Sequence, residues 1–339
     1  MVTIKNIAKK VGVCESIVSR ALNNDQLVKD SIRELIMTGS QEMGYIAAQS
    51  LANRKNEAIG IIMNSISGID YEPVIDGIRF ANQAGYTLIS ADSSQDLELE
   101  KLLDRVDGLI MISSPIKEKQ RIQRLIDRGI PMVLVESYIS DPRANYIRAN
   151  NVEGGFIATR YLIGLGHTRI AHITGDLNYQ VLLDRMEGYQ KALYEANLPP
   201  QPELIVTSHS TSLDDGYWAM KRLLAFNSNL TAVFAANDHI ALGALKAIDE
   251  AGLSVQGDIS VVGYEDSQFS KNTNPPLTTV RQPYFEMGER AMVVLTAILQ
   301  NHCAKNEGMK ICFLPKLVTR GTTNYLWNTS VSPIALGNR

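Results

Sequence analysis

The first 45 residues place apolar side chains at helical intervals in three successive groups, with Gly12 between the first two. The groups are Ile4, Ile7, Ala8 and Val11; Val13, Ile17, Val18 and Ala21; and Ile32, Leu35, Ile36 and Met43. Apolar residues three and four positions apart lie on one face of a helix. The pattern therefore predicts a helix, a tight turn, a second helix from about Glu15, and a third helix from about Asp30 to Met43, which Gly44 ends.

From residue 58 onwards the pattern changes to short β-branched runs that alternate with amphipathic helical segments. The runs are AIGIIM, YTLIS, VDGLIMIS, PMVLVES, ANYIRA, RIAHITG, LIVTS, TAVFAAN and DISVVGY. Strands that alternate with helices form parallel sheets, and about nine strands suit two doubly wound lobes better than one. The predicted fold class is α/β, with an N-terminal three-helix helix-turn-helix module followed by two doubly wound parallel-sheet lobes.

These patterns divide the chain into four parts. Residues 1–45 are predicted to form a helix-turn-helix domain, 46–57 a short polar linker, 58–325 a two-lobed core and 326–339 an irregular tail. The tail contains no leucine heptad. A dimer is therefore preferred to a tetramer.

Each lobe is expected to be built from two separate segments of the chain, because the chain crosses between the lobes near Asn150, Arg281 and Pro315. The resulting lobes are 58–149 with 282–314, and 150–281 with 315–325. Open α/β sheets bind ligands at the carboxyl ends of their strands. The cleft between the lobes is therefore the predicted ligand site.

Charge is distributed unevenly along the chain. The net charge is −3, but residues 1–55 carry eight Lys or Arg against five Asp or Glu, and the remainder carries 25 against 31. A basic module attached to an acidic body favours contact between that module and DNA phosphates. The hydrophobic content of 45% and charged content of 20% exclude a disordered, collagen-like or coiled-coil chain.

Cysteine spacing and apolar runs bear on cofactors and on the cellular compartment. Cys14, Cys303 and Cys312 lack CxxC spacing, so they are predicted to be buried or incidental thiols, and no metal or other cofactor is expected. No apolar run reaches the ~18 residues that a membrane span needs. Met1 to Lys10 contain no apolar signal segment. A cytoplasmic protein without a membrane partner is expected.

Seven segments, taken in order, resemble the lactose/galactose repressors, a family of transcriptional regulators. They are TIKNIAKKVGVCESIVSRALNN, VDGLIMI, GGFIATRYLIGLGHTRIAHITGD, RMEGYQKAL, TAVFAANDHIALGALKAI, GDISVVGYEDS and PPLTTVRQP. The resemblance implies a repressor with a helix-turn-helix, a hinge helix that forms on operator DNA, and a core like that of periplasmic sugar-binding proteins. It also implies a homodimer that binds double-stranded operator DNA and a small effector, which is a sugar or a related polyol or nucleoside. Two half-sites roughly double the discrimination that one recognition helix provides.

The resemblance implies eight DNA-binding residues by position. They are Thr3, Glu15, Ser16, Ser19, Arg20, Asn23, Tyr45 and Leu51. Arg20 is able to read guanine through two hydrogen bonds, and Glu15 is able to accept a hydrogen bond from a cytosine amine. Thr3, Ser19, Asn23 and Tyr45 are expected to contact phosphates. The alternative is that these are solvated surface residues, as helix-end arginines often are.

The sequence departs from the family pattern in the DNA-binding module and in the linker. Cys14 stands where a capping hydroxyl residue is usual, Ile17 replaces a phosphate-binding Thr, and Gly39 lies within the third helix, where a glycine costs ~1 kcal/mol. Leu51 lies only six residues beyond Tyr45, so about three residues are missing from the linker. In the family, this leucine enters the minor groove and kinks the duplex. A shortened hinge helix that still reaches the groove is one alternative, and a degenerate, sugar-binding member with weak or no specific DNA binding is the other.

Five positions match effector-contacting residues of the family: Glu136, Arg185, Asn237, Glu265 and Tyr284. Carboxylates, an arginine, an amide and an aromatic ring suit polyhydroxylated ligands, because each hydroxyl both donates and accepts. The alternatives are that Asn237 caps a helix and that Arg185 pairs with Asp184 or Glu187 on a surface. Glu265 stands where the family usually has Asp.

An enzyme and a transport-type binding protein are the alternatives from other classes. The chain lacks GxGxxG after its first strand, GxxxxGK[ST], GxSxG and a His/carboxylate cluster at metal spacing, so that an enzyme is not expected. The helix-turn-helix and the absence of a signal segment oppose a transport protein.

Overall fold

The computed structural model describes most of the chain, in seven stretches. These are residues 4–22, 28–42, 56–63, 70–91, 96–226, 229–300 and 307–326. The chain divides into two compact units, Met1–Glu57 and Ala58–Arg339. No helix among the described residues is long and apolar enough to span a bilayer.

The first unit contains three helices, as the sequence predicts. They are α1 (Ile4–Val11), α2 (Glu15–Leu22) and α3 (Asp30–Glu42). Gly12 adopts a φ of 73° in the turn between α1 and α2, a conformation that favours glycine. One side of each helix contributes to a small apolar core, which comprises Ile7, Ala8, Val18, Ala21, Val28 and Ile36.

One expectation about this unit is wrong. Leu35 is 54% exposed, whereas Ile36 is fully buried. The two side chains point about 100° apart around the helix axis, and Ile36 is the one of the pair that lies in the core. The thiol of Cys14 is exposed, as is that of Cys312 in the second unit, whereas Cys303 and Met43 lie outside the described residues.

The described part of the second unit alternates helices and strands. The helices are α4 (Glu72–Ala81), α5 (Asp96–Leu103), α6 (Lys119–Asp127), α7 (Asn151–Gly164), α8 (Gln180–Glu195), α9 (Leu213–Phe226), α10 (Asp238–Glu250) and α11 (Tyr284–Leu299). The strands are β1 (Ala58–Met63), β2 (Thr87–Ala91), β3 (Gly108–Ile112), β4 (Met132–Val135), β5 (Tyr146–Ala149), β6 (Ile170–Thr174), β7 (Ile205–Thr207), β8 (Ala232–Ala235), β9 (Ser260–Glu265), β10 (Thr278–Arg281), β11 (Lys310–Phe313) and β12 (Lys316–Val318).

The strands form two six-stranded sheets with equivalent strand orders. Their orders are β11-β5-β4-β3-β1-β2 and β12-β10-β9-β8-β6-β7. The central strands β3 and β9 are buried along their whole length, which is typical of a sheet that helices cover on both faces. The prediction of two doubly wound parallel-sheet lobes is confirmed. The expectation of parallel pairing throughout is wrong at one place, because β12 runs antiparallel to β10.

Three segments connect the two sheets. The chain leaves the first sheet after β5, returns through residues 282–283 into α11, and passes from β11 to β12 through residues 314–315. In both sheets the strand order reverses beside the first strand of the lobe, which is β1 in one and β6 in the other. The carboxyl ends of strands at such a reversal form a crevice where doubly wound folds bind ligands.

Candidate functional site

Two glutamates stand at carboxyl ends of central strands, one in each sheet. Glu136 follows β4 and Glu265 ends β9, and both residues are buried. Their φ angles are 53° and 109°, and Ser113 after β3 has a φ of 55°. Left-handed backbone is costly for residues other than glycine, and it concentrates at binding sites and active sites. The strand ends therefore hold these side chains in fixed directions.

Arg185, on α8, is fully buried between the two sheets. Its Nε donates to Asn151 Oδ1 at 2.9 Å, and its Nη1 donates to the carbonyl oxygen of Ala236 at 2.6 Å. The guanidinium carbon lies 4.0 Å from the ring centroid of Tyr264, a cation–π contact. Arg185 is therefore not a surface residue, and Asp184 pairs instead with Arg148, at 3.5 Å.

The carboxylate of Glu136 is held by two hydrogen bonds. Oε1 accepts from the backbone nitrogen of Ala149 at 2.6 Å, and Oε2 accepts from Asn151 Nδ2 at 3.0 Å. Asn151 Oδ1 accepts a further bond from Gln282 Nε2, at 2.8 Å. Burial raises the pKa of Glu136, and the two hydrogen bonds oppose that rise. Asn151 therefore links Glu136, Arg185 and Gln282 into one network.

Glu265 lacks such partners. Its Oε1 lies 3.6 Å from Nη1 of Arg185, which is beyond hydrogen-bond distance, and neither carboxylate oxygen has a hydrogen-bond partner. Burial raises the pKa of Glu265 well above its usual range. The charge of Arg185 lowers this pKa, whereas the charges of Asp238 and Asp70 raise it further.

Tyr284 is the first residue of α11 and is buried. Its ring lies 5.5 Å from that of Tyr71, at an interplanar angle of 59°. The hydroxyl of Tyr71 donates to Ser113 Oγ at 2.9 Å, whereas the hydroxyl of Tyr284 has no partner. Burial raises the pKa of Tyr284 well above its usual range. Tyr284 therefore presents a ring and an unused hydroxyl group.

These residues form a buried polar cluster, which we call the cleft cluster. It comprises Glu136, Asn151, Arg185, Tyr264, Glu265, Gln282 and Tyr284. Six of its buried atoms have no hydrogen-bond partner: Arg185 Nη2, Tyr264 Oη, Glu265 Oε1, Glu265 Oε2, Gln282 Oε1 and Tyr284 Oη. An unsatisfied buried polar group costs about 1–3 kcal/mol, so such a concentration calls for a physical explanation. A ligand that pairs with these atoms would remove the cost.

Asn237 has a different role from the other four predicted effector residues. It is the N-cap of α10, where its Oδ1 accepts from the backbone nitrogen of Ile240 at 2.8 Å. Its Nδ2 donates to the carbonyl oxygen of Thr211 at 3.1 Å. The structure thus shows the capping interaction that the sequence left as an alternative.

The predicted DNA-binding residues that the structure describes lie on α2. Glu15, Ser16 and Arg20 are exposed, whereas Val18 and Ala21 on the opposite side pack into the core. The helix therefore presents these three residues away from its own core. Thr3, Asn23, Tyr45, Leu51 and the side chain of Ser19 lie outside the described residues.

Sequence reasoning missed several members of the cleft cluster. Asn151 and Gln282 stand beside the expected crossing points of the chain, and Tyr264 directly precedes Glu265. The sequence signal that could have identified Asn151 and Gln282 was a polar side chain at a point where the chain crosses between the lobes. Tyr71, which packs against Tyr284, is not among the residues that the sequence predicted.

A helix-turn-helix unit joined to a two-lobed α/β core with an unsatisfied polar cleft defines a ligand-binding DNA regulator. Comparisons with known proteins agree. Residues 3–47 match the family described as bacterial regulatory proteins of the lacI family, and residues 159–323 match a periplasmic binding protein-like domain. The transcriptional repressor PurR of Vibrio campbellii is 31% identical over 96% of this chain and its own full length. The chain belongs to the lacI family, which confirms the resemblance.

Further relatives and solved structures support the same assignment. The ribose operon repressor of Haemophilus influenzae is 33% identical over 89% of this chain and 93% of its own length. A complex of the transcriptional regulator CelR with cellobiose superposes with a TM-score of 0.73 at 27% identity, covering 95% of this chain and all of that one. A lac repressor dimer bound to operator and an anti-inducer gives a TM-score of 0.70 at 27% identity, covering 95% and 99%. The chain is a DNA-binding transcriptional regulator and not an enzyme.

Proposed function

We propose that this chain is a homodimeric repressor whose affinity for operator DNA changes when a small effector binds the cleft cluster. The main support for this proposal is the cleft cluster, in which six buried polar atoms lack a hydrogen-bond partner. The same chain also has a helix-turn-helix. The relative described as a ribose operon repressor, and the complex of CelR with cellobiose, support a small polar effector. The effector contacts Glu265, Arg185 and Tyr284. Asn237 caps α10 and so positions the backbone between β8 and that helix.

DNA recognition is assigned to the exposed side of α2. Arg20 reads a guanine, Glu15 and Ser16 contact bases beside it, and Thr3, Ser19, Asn23 and Tyr45 contact phosphates. A dimer places two such helices one helical turn apart on a palindromic operator. The exposure of Arg20 on a helix whose other side is buried supports this assignment.

The first prediction tests Arg20. Operator sites are selected from a random duplex library with the full-length chain, and affinity is then measured by fluorescence anisotropy. Arg20→Ala is expected to weaken specific binding by about 30-fold or more, because a bidentate base contact contributes about 1–3 kcal/mol in each of two half-sites. Arg105→Ala, which removes an exposed arginine of the core, serves as the charge-matched control and should bind as the wild type does. Equal affinity of the Arg20 and Arg105 variants would exclude the base-reading role.

A second candidate function is an effector-binding family member with weak or no specific DNA binding. The observation that favours it is the linker, in which Leu51 follows Tyr45 by only six residues. Selection that enriches no sequence, together with weak binding that salt abolishes, would establish this candidate. An enriched palindrome would exclude it.

A further inference from the structure

The carboxylates around Arg185 and Glu265 outnumber the positively charged groups. Arg185 approaches Glu265 to 3.6 Å and also interacts electrostatically with Glu136. Asp238 and Asp70 are close enough to act on the Glu265 carboxylate. One buried guanidinium therefore faces two buried carboxylates, with two further acidic groups nearby.

Neighbouring buried carboxylates differ from Glu265 in their hydrogen bonding. Glu136 accepts two hydrogen bonds, from Ala149 and Asn151. Asp238 accepts three, from the backbone nitrogen and hydroxyl of Ser267 at 2.8 Å and from Thr279 Oγ1 at 2.6 Å. Glu265 accepts none. Of these three carboxylates, Glu265 is the one that has an ion pair, with Arg185, but no hydrogen bond.

An open cavity of about 340 Å³ borders Glu265 and Tyr284. This volume lies within the range of small-molecule sites. Asp70 and Glu286 also line the cavity, and Lys271 stands among them. The remaining charged groups of the lining are paired with each other, because Arg281 Nε donates to Asp266 at 2.6 Å. The cavity wall beside Glu265 is therefore acidic.

Acceptors also outnumber donors among the unpartnered atoms of the cleft cluster. Glu265 contributes two acceptor oxygens and Gln282 one, whereas Arg185 Nη2 is an obligate donor. The hydroxyls of Tyr264 and Tyr284 serve in either role. A protonated amino group brings three N–H donors and one positive charge, and it is attracted to the face of a tyrosine ring. A neutral hydroxyl brings one donor and no charge.

We propose that the effector is a small polyhydroxylated molecule with a protonated amino group, such as an amino sugar or amino polyol, and that its amino group binds Glu265. The ring of Tyr284 lies beside the same cavity, and the hydroxyls of the effector pair with Arg185 and Gln282. The inference rests on the proposed function, because it takes the cleft cluster as the effector site.

Thermal unfolding of the full-length chain tests this inference with matched probes. Ethanolammonium chloride is compared with ethane-1,2-diol, and D-glucosamine hydrochloride with D-glucose, with sodium chloride added to the neutral probes to equal ionic strength. A site of about 10 mM affinity raises the Tm by about 2 °C at about 50 mM probe. Both amines are expected to raise the Tm by at least this amount, and their neutral partners by clearly less.

Two variants separate binding at Glu265 from general effects of the amines. Glu265→Gln keeps the side-chain shape and removes the carboxylate charge, whereas Arg185 keeps its hydrogen bonds to Asn151 and Ala236. The Tm of the unliganded variant serves as its own reference. Its response to both amines should be lost. Glu195→Gln removes the exposed carboxylate of the last residue of α8. This variant should respond to both amines as the wild type does.

An amine response that the wild type and Glu195→Gln show and Glu265→Gln lacks supports the inference. Equal responses to the members of each pair, an amine response that survives in Glu265→Gln, or no response to either amine would overturn it. Operator binding is measured in parallel by fluorescence anisotropy. A neutral sugar that changes operator affinity would overturn this inference and leave the proposed function intact. Amine binding without any operator binding would contradict the proposed function and leave this inference intact.

Discussion

Arg185 is fixed before any ligand arrives. Two hydrogen bonds, the ring of Tyr264 and two carboxylates hold the guanidinium in one place. A side chain that is immobilised in the empty site loses no rotamer freedom when a ligand binds, and this preorganisation favours affinity. The same contacts make Arg185 important for the stability of the core.

The second prediction therefore concerns Arg185→Ala. Removing the guanidinium leaves Glu265 and Asn151 without their buried partner, and such truncations cost about 3–5 kcal/mol. Urea unfolding monitored by circular dichroism should show this loss in the free energy of unfolding. Arg160→Ala removes an exposed arginine of α7 and should stay within about 0.5 kcal/mol of the wild type. A variant of Arg185 as stable as that of Arg160 would show that the buried contacts contribute little.

The sequence allowed some site residues to be predicted and not others, for a physical reason. Glu136 and Glu265 end apolar runs, so their position at strand ends follows from local pattern alone. The hydrogen bond between Asn151 and Gln282 joins residues 131 positions apart, and no local pattern encodes it. Likewise, Gly39 was expected only to weaken α3, yet a Cβ at this position would lie 2.6 Å from Val11 Cγ2. Its small size allows α1 to approach α3.

Glycines set how closely the helices of the second unit pack. A Cβ added at Gly155 on α7 would lie 2.1 Å from the carbonyl oxygen of Arg185 on α8, and one at Gly188 would lie 2.0 Å from that of Val152. The two helices therefore cross with their backbones in contact. The position of Arg185 in the cleft depends directly on this crossing.

The third prediction compares two glycines of α7. Gly155→Ala is expected to lower the free energy of unfolding by about 1–3 kcal/mol, because the new methyl group meets backbone that cannot move aside. Gly164→Ala lies at the end of the same helix with no atom within 4 Å of the new Cβ, and it should raise stability by about 0.5 kcal/mol. Chemical denaturation of both variants measures the difference. Equal effects at the two positions would argue against a close crossing.

A histidine inside the second sheet makes stability depend on pH. His172, on β6, stacks between the rings of Tyr189 and Phe234, at 5.1 and 4.8 Å, and its Nδ1 donates to the carbonyl oxygen of Phe234 at 2.9 Å. Burial lowers the pKa of His172 to about 4, whereas the unfolded chain has a pKa of about 6.5. The native state therefore binds fewer protons than the unfolded state between these values, and stability falls as the pH decreases through this window.

The fourth prediction isolates this contribution with His172→Phe. The difference in the free energy of unfolding between wild type and variant should change by about 2 kcal/mol or more from about pH 7 to about pH 4.5, with the wild type losing stability relative to the variant. Asp238, whose pKa burial raises to about 6, titrates in the opposite sense. It does so in both proteins and cancels in the difference. A difference that stays constant with pH would mean that His172 does not titrate in this range.

The strands that the sequence missed share one property. β10, β11 and β12 contain only three or four residues and carry basic residues at their ends. β11 and β12 also lie at the edges of their sheets, where charged side chains discourage pairing with another chain. Short, charged edge strands lack the apolar run by which the central strands were recognised. Tertiary pairing, not local pattern, determines them.

Charge differs between the two units of the chain. Residues 1–55 are basic and the remainder is acidic, so attraction to phosphates is confined to the N-terminal unit. The cleft cluster, which is the proposed effector site, lies within the other unit. Regulation then requires a coupling free energy between two distinct sites. The linker, at 46–57, is the covalent connection through which such coupling would act.

The fifth prediction tests the linker through Leu51, which lies outside the described residues. If paired hinge segments insert Leu51 into the minor groove, the leucine unstacks a base step and bends the duplex, and nonspecific binding uses no such insertion. Leu51→Ala is then expected to weaken specific operator binding by roughly 2 kcal/mol or more per dimer and to reduce the DNA bend. Binding to random duplex should keep its affinity and salt dependence.

Two further variants complete the linker experiment. Gln49→Ala is the matched control, because it changes a polar neighbour in the same segment, and it should leave operator affinity unchanged. Inserting three residues between Ile46 and Ala48 restores the usual family spacing and should shift the preferred centre of the operator. Unaltered operator affinity and bending in Leu51→Ala would show that the shortened linker forms no hinge helix. In that case the effector should also leave operator affinity unchanged, because no ordered element would carry the coupling between the units.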